Sequence, residues 1–258
     1  MDNLAPVLPG IGAGHGVDQM IPTVSPGELR VAAYTGFEPF IFYRDGQLVG
    51  CDLEVLEGFC EGERLELVVE PVERFDGLWL SPLSGEVDLA TAGMARFVER
   101  EHADIAWTEP YFEVARSILI REERRDELRG IADFSGATIG FVAGSTADLD
   151  SRARAPAGTV FQAIDSQRHG VELLLDGAID GLAMGTPSNR FNAHGAAGFA
   201  VIDVHEFSQS EGLRFALLAA RTELLNRLNH YLRSPVGSSL FEECLSRWLA
   251  EAGEAGIL

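Results

Sequence analysis

The segment FDGLWLSPLSGEVDLATAGM, residues 75–94, has a shorter counterpart in DGAIDGLAMGTP, residues 176–187. In both segments a predicted helix ends at Gly, a Val-Asp or Ile-Asp pair opens a predicted strand, and a second Gly follows that strand. Two similar units in one chain predict two α/β lobes, although the alternative is that helix–Gly–strand junctions are common in any α/β protein. A ligand cleft is expected between the lobes, where strand ends and helix starts face each other.

The sequence around these segments alternates between strand and helix patterns. Residues 29–34, which include a β-branched and an aromatic side chain, and the Val-rich residues 65–72 are predicted strands, whereas residues 52–62 place apolar side chains at helical spacing. The turn sequence at 44–46 predicts a hairpin, and residues 75–85 are a predicted helix. The fold class is therefore predicted to be α/β, with mostly parallel central sheets.

The composition excludes several kinds of chemistry. The chain has 258 residues and a formal charge of -20, and all 20 of its basic residues are Arg. Without Lys there is no amine for a Schiff base and no phosphate-binding Lys of the P-loop type. The excess of acidic residues also argues against nucleic acid as a partner, because binding to phosphates requires clustered positive charge.

Cysteine and histidine usage indicates neither a disulfide framework nor a metal site. Cys51, Cys60 and Cys244 contain no CxxC pair, so buried and inert thiols are the prediction. The six His residues have no paired metal-ligand spacing. We therefore predict no metal and no cofactor.

Residues 1–28 are predicted to form an N-terminal extension, since they are rich in Gly and Pro and lack periodicity. They show no basic start followed by an apolar stretch, and no apolar run of membrane-spanning length occurs elsewhere. No membrane insertion is predicted. If Met1 is the native start the protein is expected in the cytoplasm, and if a signal peptide was removed it is expected outside.

From about residue 29 to residue 250 the chain resembles the type II periplasmic solute-binding proteins, family 3, which serve amino-acid ABC transporters and include the cyclohexadienyl dehydratases. Each matching motif is weak by itself, and their order and spacing together are specific. The motifs are GFEPF (36–40), GQLVGCDLEV (46–55), residues 75–94, Glu99-Arg100, WTEPYF (107–112), GATIGFVAGSTA (136–147), residues 176–187 and EGLRFALL (211–218).

The resemblance implies a bilobed protein that closes around its ligand like a clamshell. Lobe 1 would comprise residues 29–111 and 211–258, and lobe 2 residues 112–210. Two hinge strands would join them, near residues 111–115 and 207–211. The implied partners are a small-molecule carboxylate ligand and, if the protein is exported, an ABC permease.

The resemblance also assigns ligand contacts. Arg100, which follows the Gly93 loop, occupies the position of an Arg that binds a ligand carboxylate through two parallel hydrogen bonds. Gly144, Ser145 and Thr146 precede a predicted helix, where amides and a hydroxyl would face an anion. Arg100 as a surface residue and Ser145 as a simple N-cap remain alternatives.

Aromatic side chains complete the implied site. Phe37 and Phe75 align with residues that sandwich the body of the ligand, although ordinary core packing is the alternative for both. Trp79 lies on the same predicted helix as Phe75 and is interpreted as a core residue.

Several positions depart from the family pattern. Ala95 replaces a Thr, Gly185 replaces the Asp that pairs with an α-ammonium, and Tyr34 replaces an acidic residue of some members. The loss of that Asp disfavours an ordinary L-amino acid, because an unpaired buried ammonium is costly. A keto acid, a dicarboxylate or a similar molecule fits better, unless Glu211 or Glu109 replaces the lost anion.

Glu211 also supports an alternative function. It matches a catalytic Glu of the cyclohexadienyl dehydratases, so the chain is either a binding protein or a carbon–oxygen lyase in which Glu211 protonates a leaving hydroxyl. Prephenate, which has carboxylates and no ammonium, suits the Gly at position 185. We favour binding because it is the commoner function in the family.

Overall fold

The computed structural model describes residues 21–195, 197–203 and 211–255. The predicted extension up to residue 20 and most of the second predicted hinge therefore lie outside the described residues. The strands are β1 (Glu28–Tyr34), β2 (Gly36–Phe37), β3 (Ile41–Arg44), β4 (Gln47–Val49), β5 (Glu66–Val72), β6 (Leu89–Thr91), β7 (Ile105–Trp107), β8 (Phe112–Val114), β9 (Arg116–Arg121), β10 (Thr138–Val142), β11 (Val160–Ile164), β12 (Gly181–Gly185), β13 (Phe199–Asp203), β14 (Glu211–Leu213) and β15 (Ala216–Leu218). The helices are α1 (Cys51–Glu63), α2 (Thr146–Arg154), α3 (Gln167–Leu175), α4 (Thr186–Gly195), α5 (Thr222–Arg233) and α6 (Pro235–Ala255).

Two five-stranded sheets form the centres of the two lobes. The first has the order β5-β1-β6-β15-β7, and the second has the order β11-β10-β12-β9-β13. Within each sheet one strand, β15 or β9, runs antiparallel to its two neighbours, and the remaining strands are parallel. The prediction of an α/β fold with mostly parallel sheets is confirmed.

The repeated sequence segment has the same structural role in both lobes. In the first lobe the Asp88 carboxylate accepts the backbone N–H of Arg30, and the Asp88 N–H donates to the Arg30 carbonyl. In the second lobe Asp180 makes the same two contacts with the backbone of Thr138. Each Asp therefore joins the start of its own strand to the neighbouring parallel strand, which satisfies backbone groups that the sheet leaves unpaired.

Short antiparallel elements connect and extend the lobes. Strands β8 and β14 pair with each other at the two places where the chain passes between the sheets. The predicted hairpin is formed by β3 and β4, and its turn residues Asp45 and Gly46 both have positive φ, 53° and 77°. That geometry is typical of a two-residue type I′ turn.

The predicted helix at 75–85 is a 3-10 helix at Leu78–Ser84 instead of an α-helix. Pro82 lies inside it and cannot donate the backbone hydrogen bond that an α-helix requires. Gly77 and Gly85 flank the element with φ of 83° and 74°, which stops helical propagation on both sides. Periodicity alone could not distinguish the two helix types.

Helix α6 packs on both lobes. It contacts α1 in the first lobe and α4 in the second. Phe42 of the hairpin joins this contact, with its ring centroid 5.7 Å from that of Phe191 in α4 and 5.1 Å from that of Trp248 in α6. Apolar packing therefore connects the lobes behind the hinge strands.

Candidate functional site

A cavity lies between the two lobes, beside the hinge strands. Its cavity volume is about 40 Å³, and it is partly open to solvent. Its apolar walls come from Phe37, Phe40, Phe75, Val114, Met184 and Leu213, and Gly93 and Gly185 also face it. Its polar groups are Arg100, Ser145, Thr146, Ser188 and Glu211. Such a mainly apolar pocket with a few polar groups is typical of small-molecule sites.

Arg100 is the buried cation of this cavity. The 3-10 helix Val98–Arg100 places it there with only 1% of its surface exposed. Its Nη1 donates to the Ala95 carbonyl at 2.8 Å and its Nη2 donates to the Gly144 carbonyl at 2.8 Å. Its Nε is buried and has no hydrogen-bond partner among the described residues. The guanidinium therefore retains a donor that a ligand can use.

Three aromatic rings surround the same guanidinium. Its carbon lies 5.1 Å from the Phe75 ring centroid, 4.7 Å from that of Trp79 and 4.3 Å from that of Phe97. The interpretation of Trp79 as a core residue was therefore incomplete, since its ring also holds the binding-site cation. Burial lowers the pKa of Arg100 to about 10, with Glu211 and Asp76 opposing that shift. The side chain nevertheless stays charged at neutral pH.

The first-lobe loop that contains Gly93 is fixed by Asp52. This carboxylate is fully buried and accepts hydrogen bonds from Thr91 Oγ1 at 2.6 Å, from the Gly93 N–H at 2.8 Å and from Tyr111 Oη at 2.9 Å. Burial raises its pKa to about 6, although the three hydrogen bonds oppose the shift. Sequence reasoning missed this residue, because an acidic side chain in the first turn of a helix is ordinarily exposed.

The second-lobe loop at Gly144, Ser145 and Thr146 differs from the expectation. Ser145 is the N-cap of α2 and accepts from the Asp148 N–H at 3.1 Å. The Gly144 N–H donates to Asp148 Oδ2, and the Ser145 N–H donates to the Val142 carbonyl. These two amides are therefore bonded within the protein, which differs from the expectation that they are free to face an anion. Ser145 and Thr146 still line the cavity with their side chains, whereas Gly144 does not.

Gly144 has a separate role where the lobes approach each other. Its φ is 73°, and a Cβ at this position would lie 2.6 Å from Asp76 Oδ1 across the interface. Only Gly permits this contact without strain. Because no side chain is present, the Gly144 backbone can lie close to the first lobe, where its carbonyl accepts a hydrogen bond from Arg100.

Glu211 lies at the start of β14 and is part of a charged network. Arg116 Nη1 is 2.9 Å from Glu211 Oε1, and Thr146 Oγ1 donates to the same oxygen at 2.5 Å. Arg116 also pairs with Asp150 at 2.5 Å, and its side chain is only 1% exposed. Sequence reasoning did not identify Arg116 as a site residue. Glu109, the other candidate anion, pairs with Arg233 and does not line the cavity.

This network also adjoins Gly185, the position at which the family pattern has an Asp. Gly185 is the register partner of Arg116 in the antiparallel pair of β12 and β9. A Cβ at Gly185 would meet Val114 at 3.5 Å and Pro187 at 3.9 Å, which are ordinary contacts. The position therefore has space for a side chain, and its neighbouring strand supplies a cation.

Of the remaining predicted ligand-binding residues, only some line the cavity. Phe37 and Phe75 both face the cavity, but their ring centroids are 4.9 Å apart at an interplanar angle of 56°. The rings contact each other and form one wall, so they do not flank a gap as the predicted sandwich would. Tyr34 and Ala95 do not line the cavity. Ala95 contributes its carbonyl to Arg100 instead.

Direct hydrogen bonds connect the two lobes around the cavity. Tyr34 Oη donates to the Asp165 carbonyl at 2.5 Å, and Ser188 Oγ donates to the Glu38 carbonyl at 2.6 Å. Together with the bond from Arg100 to Gly144, these contacts cross the interface from several elements. The lobes are thus in contact on the open side of the cleft.

Two α/β lobes that enclose a small cavity beside paired connecting strands define a bilobed ligand-binding protein. The chain belongs to the bacterial extracellular solute-binding proteins, family 3, which it matches over residues 29–251. Binding proteins of this family are usually extracytoplasmic and usually work with ABC transporters. No helix in the described part of the chain has both the length and the apolar character to cross a membrane.

The chain is also similar to several individual proteins. A probable amino-acid-binding protein of Bacillus subtilis, YxeM, is 28% identical over 117 residues, which are 45% of this chain and 43% of that protein. The match thus spans less than half of the relative. An ancestral arginine-binding protein bound to arginine is 25% identical with a TM-score of 0.76 and covers 86% of this chain and 98% of its own. The Streptococcus pneumoniae protein AbpA, bound to L-arginine, is 20% identical with a TM-score of 0.79, covering 88% and 96%.

Proposed function

We propose that this protein captures a small carboxylate-bearing ligand in the cavity between its lobes, with Arg100 as the carboxylate anchor. One observation supports this most strongly. The guanidinium is almost fully buried, yet no carboxylate of the described residues forms an ion pair with it. A buried charge without a direct ion pair, favoured only by the more distant Glu211 and Asp76 carboxylates, is costly for folding and is ordinarily retained for function. A ligand carboxylate would supply the direct ion pair.

The other walls of the cavity favour a ligand whose second end carries no positive charge. Gly185 provides no carboxylate, and Glu211 is already paired with Arg116 and Thr146. An ammonium would have to compete with the Arg116 guanidinium for that oxygen. A 2-oxo acid or another deaminated acid with an apolar body avoids this competition and fills the Phe- and Met-lined walls.

Binding is proposed to proceed with closure of the lobes about β8 and β14. The proposed lobes are residues 29–111 with 211–258, and residues 112–210. Closure excludes water and so strengthens the bond between the ligand and Arg100. When the protein is exported, an ABC permease would accept the bound ligand.

The lyase alternative receives less support from the geometry. A general acid has to hold a proton at the moment of reaction. Glu211 Oε1 lies 2.9 Å from Arg116 Nη1 and accepts a hydrogen bond from Thr146, so both groups compete with a substrate hydroxyl for this oxygen. The contact with Arg116 is consistent with a Glu211 that contributes to the charge distribution of the cavity without reacting.

The chemistry of the anchor can be tested directly. The protein would be unfolded, dialysed and refolded to remove co-purified ligands, and calorimetric titrations would compare 2-oxo acids and L-amino acids with the matching primary amides. Acids are expected to bind, and the neutral amides are expected to bind at least about 30-fold more weakly because they lose a buried charge pair. Equal affinity for an acid and its amide would contradict the assignment of Arg100.

A matched pair of variants separates this role from general electrostatics. Arg100→Met should remove binding of acids. Arg96→Met removes a nearby Arg that pairs with Glu101 at the surface, and it should leave the affinity unchanged. An equal loss of affinity in both variants would show that the protein attracts acids only through its overall electrostatic field.

A further inference from the structure

Asp52 connects three parts of the first lobe that surround the ligand cavity. It lies in the first turn of α1, where its backbone N–H donates to the Phe40 carbonyl at 2.9 Å. Its Oδ2 accepts from Thr91 Oγ1 and from the Gly93 N–H, and its Oδ1 accepts from Tyr111 Oη. Phe40 and Gly93 both face the cavity, and Tyr111 immediately precedes the connecting strand β8.

The Tyr111 side of this cluster leads to the strands between the lobes. The Tyr111 N–H donates to the Leu213 carbonyl at 2.9 Å, and the Tyr111 ring stacks on Phe215 with centroids 4.6 Å apart. Leu213 ends β14, the partner strand of β8, and also lines the cavity. The Asp52 carboxylate therefore lies between the loop that faces the ligand and the strands about which the lobes would close.

The Gly93 side of the cluster leads to the carboxylate anchor. Two residues after Gly93, the Ala95 carbonyl accepts from Arg100 Nη1 at 2.8 Å. Ala95 also forms a β-bridge with Leu213, so the loop and β14 are joined at a second point. The position of the guanidinium thus depends on how the Gly93 loop is held.

The hydrogen-bond donors around Asp52 suit an ionised carboxylate. Thr91 Oγ1, the Gly93 N–H and Tyr111 Oη all donate to it, whereas a protonated carboxyl carries a donor of its own and accepts less. Oδ2 accepts two of these bonds and Oδ1 accepts one, so the proton is expected on Oδ1. The Tyr111 hydroxyl then has to stop donating to Asp52.

We propose that Asp52 is a positioning residue that makes ligand binding depend on pH. Its ionised carboxylate holds the Gly93 loop and the Tyr111 segment in the arrangement that binds an acid. Protonation releases the bond from Tyr111 and weakens binding. The inference rests on the proposed function, because it concerns the regulation of the same cavity. The ligand would be captured near neutral pH and held less tightly in acid.

The titration of Asp52 falls close to neutral pH. Burial raises its pKa to about 6, so the carboxylate takes up a proton between about pH 7 and about pH 5. The other ionisable groups on the elements packed around it are Cys51 and Glu54 on α1, Cys244 and Arg247 on α6, Glu38 in the loop between β2 and β3, and Tyr111. Burial raises the pKa of the Cys51 thiol and of the Tyr111 hydroxyl, so both stay neutral over this range.

Two of these neighbours are carboxyls. Glu54 pairs with Arg247 of α6 at 2.5 Å and is partly exposed. Glu38 lies in the loop whose Phe40 carbonyl accepts from Asp52, and burial raises the pKa of Glu38 as well. Its Oε2 is buried without a hydrogen-bond partner among the described residues. Glu38 is therefore the matched control for Asp52.

Calorimetric titrations at several pH values test the proposal. Refolded full-length protein would be titrated with phenylpyruvate, a 2-oxo acid with an apolar body, from about pH 7.5 to about pH 4.5. Arg100 and the ligand carboxylate stay charged over this range. Wild-type affinity should fall about tenfold toward acid, which corresponds to a pKa of Asp52 that is about one unit lower in the bound protein.

Two variants assign that fall in affinity to one residue. Asp52→Asn should bind with the same affinity at every pH, and Glu38→Gln should keep the wild-type pH dependence. A wild-type affinity that does not change with pH would overturn the proposal. A pH dependence that survives in Asp52→Asn, or disappears in Glu38→Gln, would do so too.

Nuclear magnetic resonance of the ligand-free protein tests the connection without a ligand. The amide signals of Gly93 and of Val114 in β8 should both shift with a midpoint near pH 6 in the wild type. In Tyr111→Phe, Gly93 should still titrate and Val114 should not. Titration of Gly93 alone in the wild type would overturn the connection through Tyr111. If phenylpyruvate bound at no pH, the proposed function would fail for this acid, and the two amide signals would still decide whether Asp52 connects the loop to the hinge.

Discussion

Replacing Arg100 with Met should change ligand binding far more than stability. Burial lowers the pKa of the guanidinium from 12.5 to about 10, which corresponds to a cost of about 3 kcal/mol for keeping it charged in the folded protein. The two carbonyl hydrogen bonds and the three ring contacts contribute about 1 kcal/mol each, so together they exceed that cost by about 2 kcal/mol. The free energy of unfolding should therefore change by no more than about 2 kcal/mol. The affinity for an acidic ligand should fall by about 2–5 kcal/mol.

Arg116→Met is the matched control for this prediction. Arg116 is as deeply buried as Arg100, but it pairs with two carboxylates, those of Asp150 and Glu211. Removing it leaves both carboxylates without this partner and should lower the free energy of unfolding by about 3–5 kcal/mol. Urea titrations of the ligand-free proteins would measure both values, and calorimetry would measure binding. If Arg100→Met lost as much stability as Arg116→Met, Arg100 would be a structural residue and our reasoning would be refuted.

Three further outcomes are expected. Gly185→Asp should shift the preference from a 2-oxo acid toward the matching L-amino acid by about tenfold or more, because it restores a carboxylate at the ammonium position; an unchanged ratio of affinities in calorimetry would contradict that assignment. Trp79→Leu should weaken acid binding about three- to tenfold through loss of its ring contact with the anchor, whereas Trp107→Leu, outside the cavity, should not. The pKa of Asp52 is about 6 in the folded protein against an ordinary value of 3.8, so its contribution to stability is present below about pH 4 and is lost as pH rises to about 6. Relative to Asp52→Asn, the wild type should thus lose about 3 kcal/mol over that range in urea titrations, and parallel curves for the two proteins would disprove it.

The fold was predictable because it depends on local patterns. The Val-Asp and Ile-Asp segments begin equivalent strands in both lobes, and the Asp45-Gly46 turn has the geometry that its sequence favours. The 3-10 helix around Pro82 was not predicted, since an α-helix and a 3-10 helix share much of their apolar spacing over so short a segment.

The site was predictable only where one residue type performs the chemistry. The family motif placed Arg100 in the cavity, but its three aromatic neighbours come from separate stretches that sequence spacing does not relate. Arg116 was missed because its role depends on carboxylates far along the chain, at Asp150 and Glu211. The amides at Gly144 and Ser145 are not free as expected, because Asp148 in the following helix accepts from the Gly144 N–H and the Val142 carbonyl accepts from the Ser145 N–H.

The hydrogen bond from Arg100 to the Gly144 carbonyl has a consequence for any protein that recognises the closed shape. In the proposed function the guanidinium that joins the two lobes would also hold the ligand, so the strength of closure without ligand and the strength of binding would be linked through one side chain. A stronger interlobe bond would raise the fraction of molecules that close without cargo. Those molecules would compete with ligand-bound ones for a transporter. A weaker bond would reduce that competition, but the lobes would then close more slowly on a bound ligand.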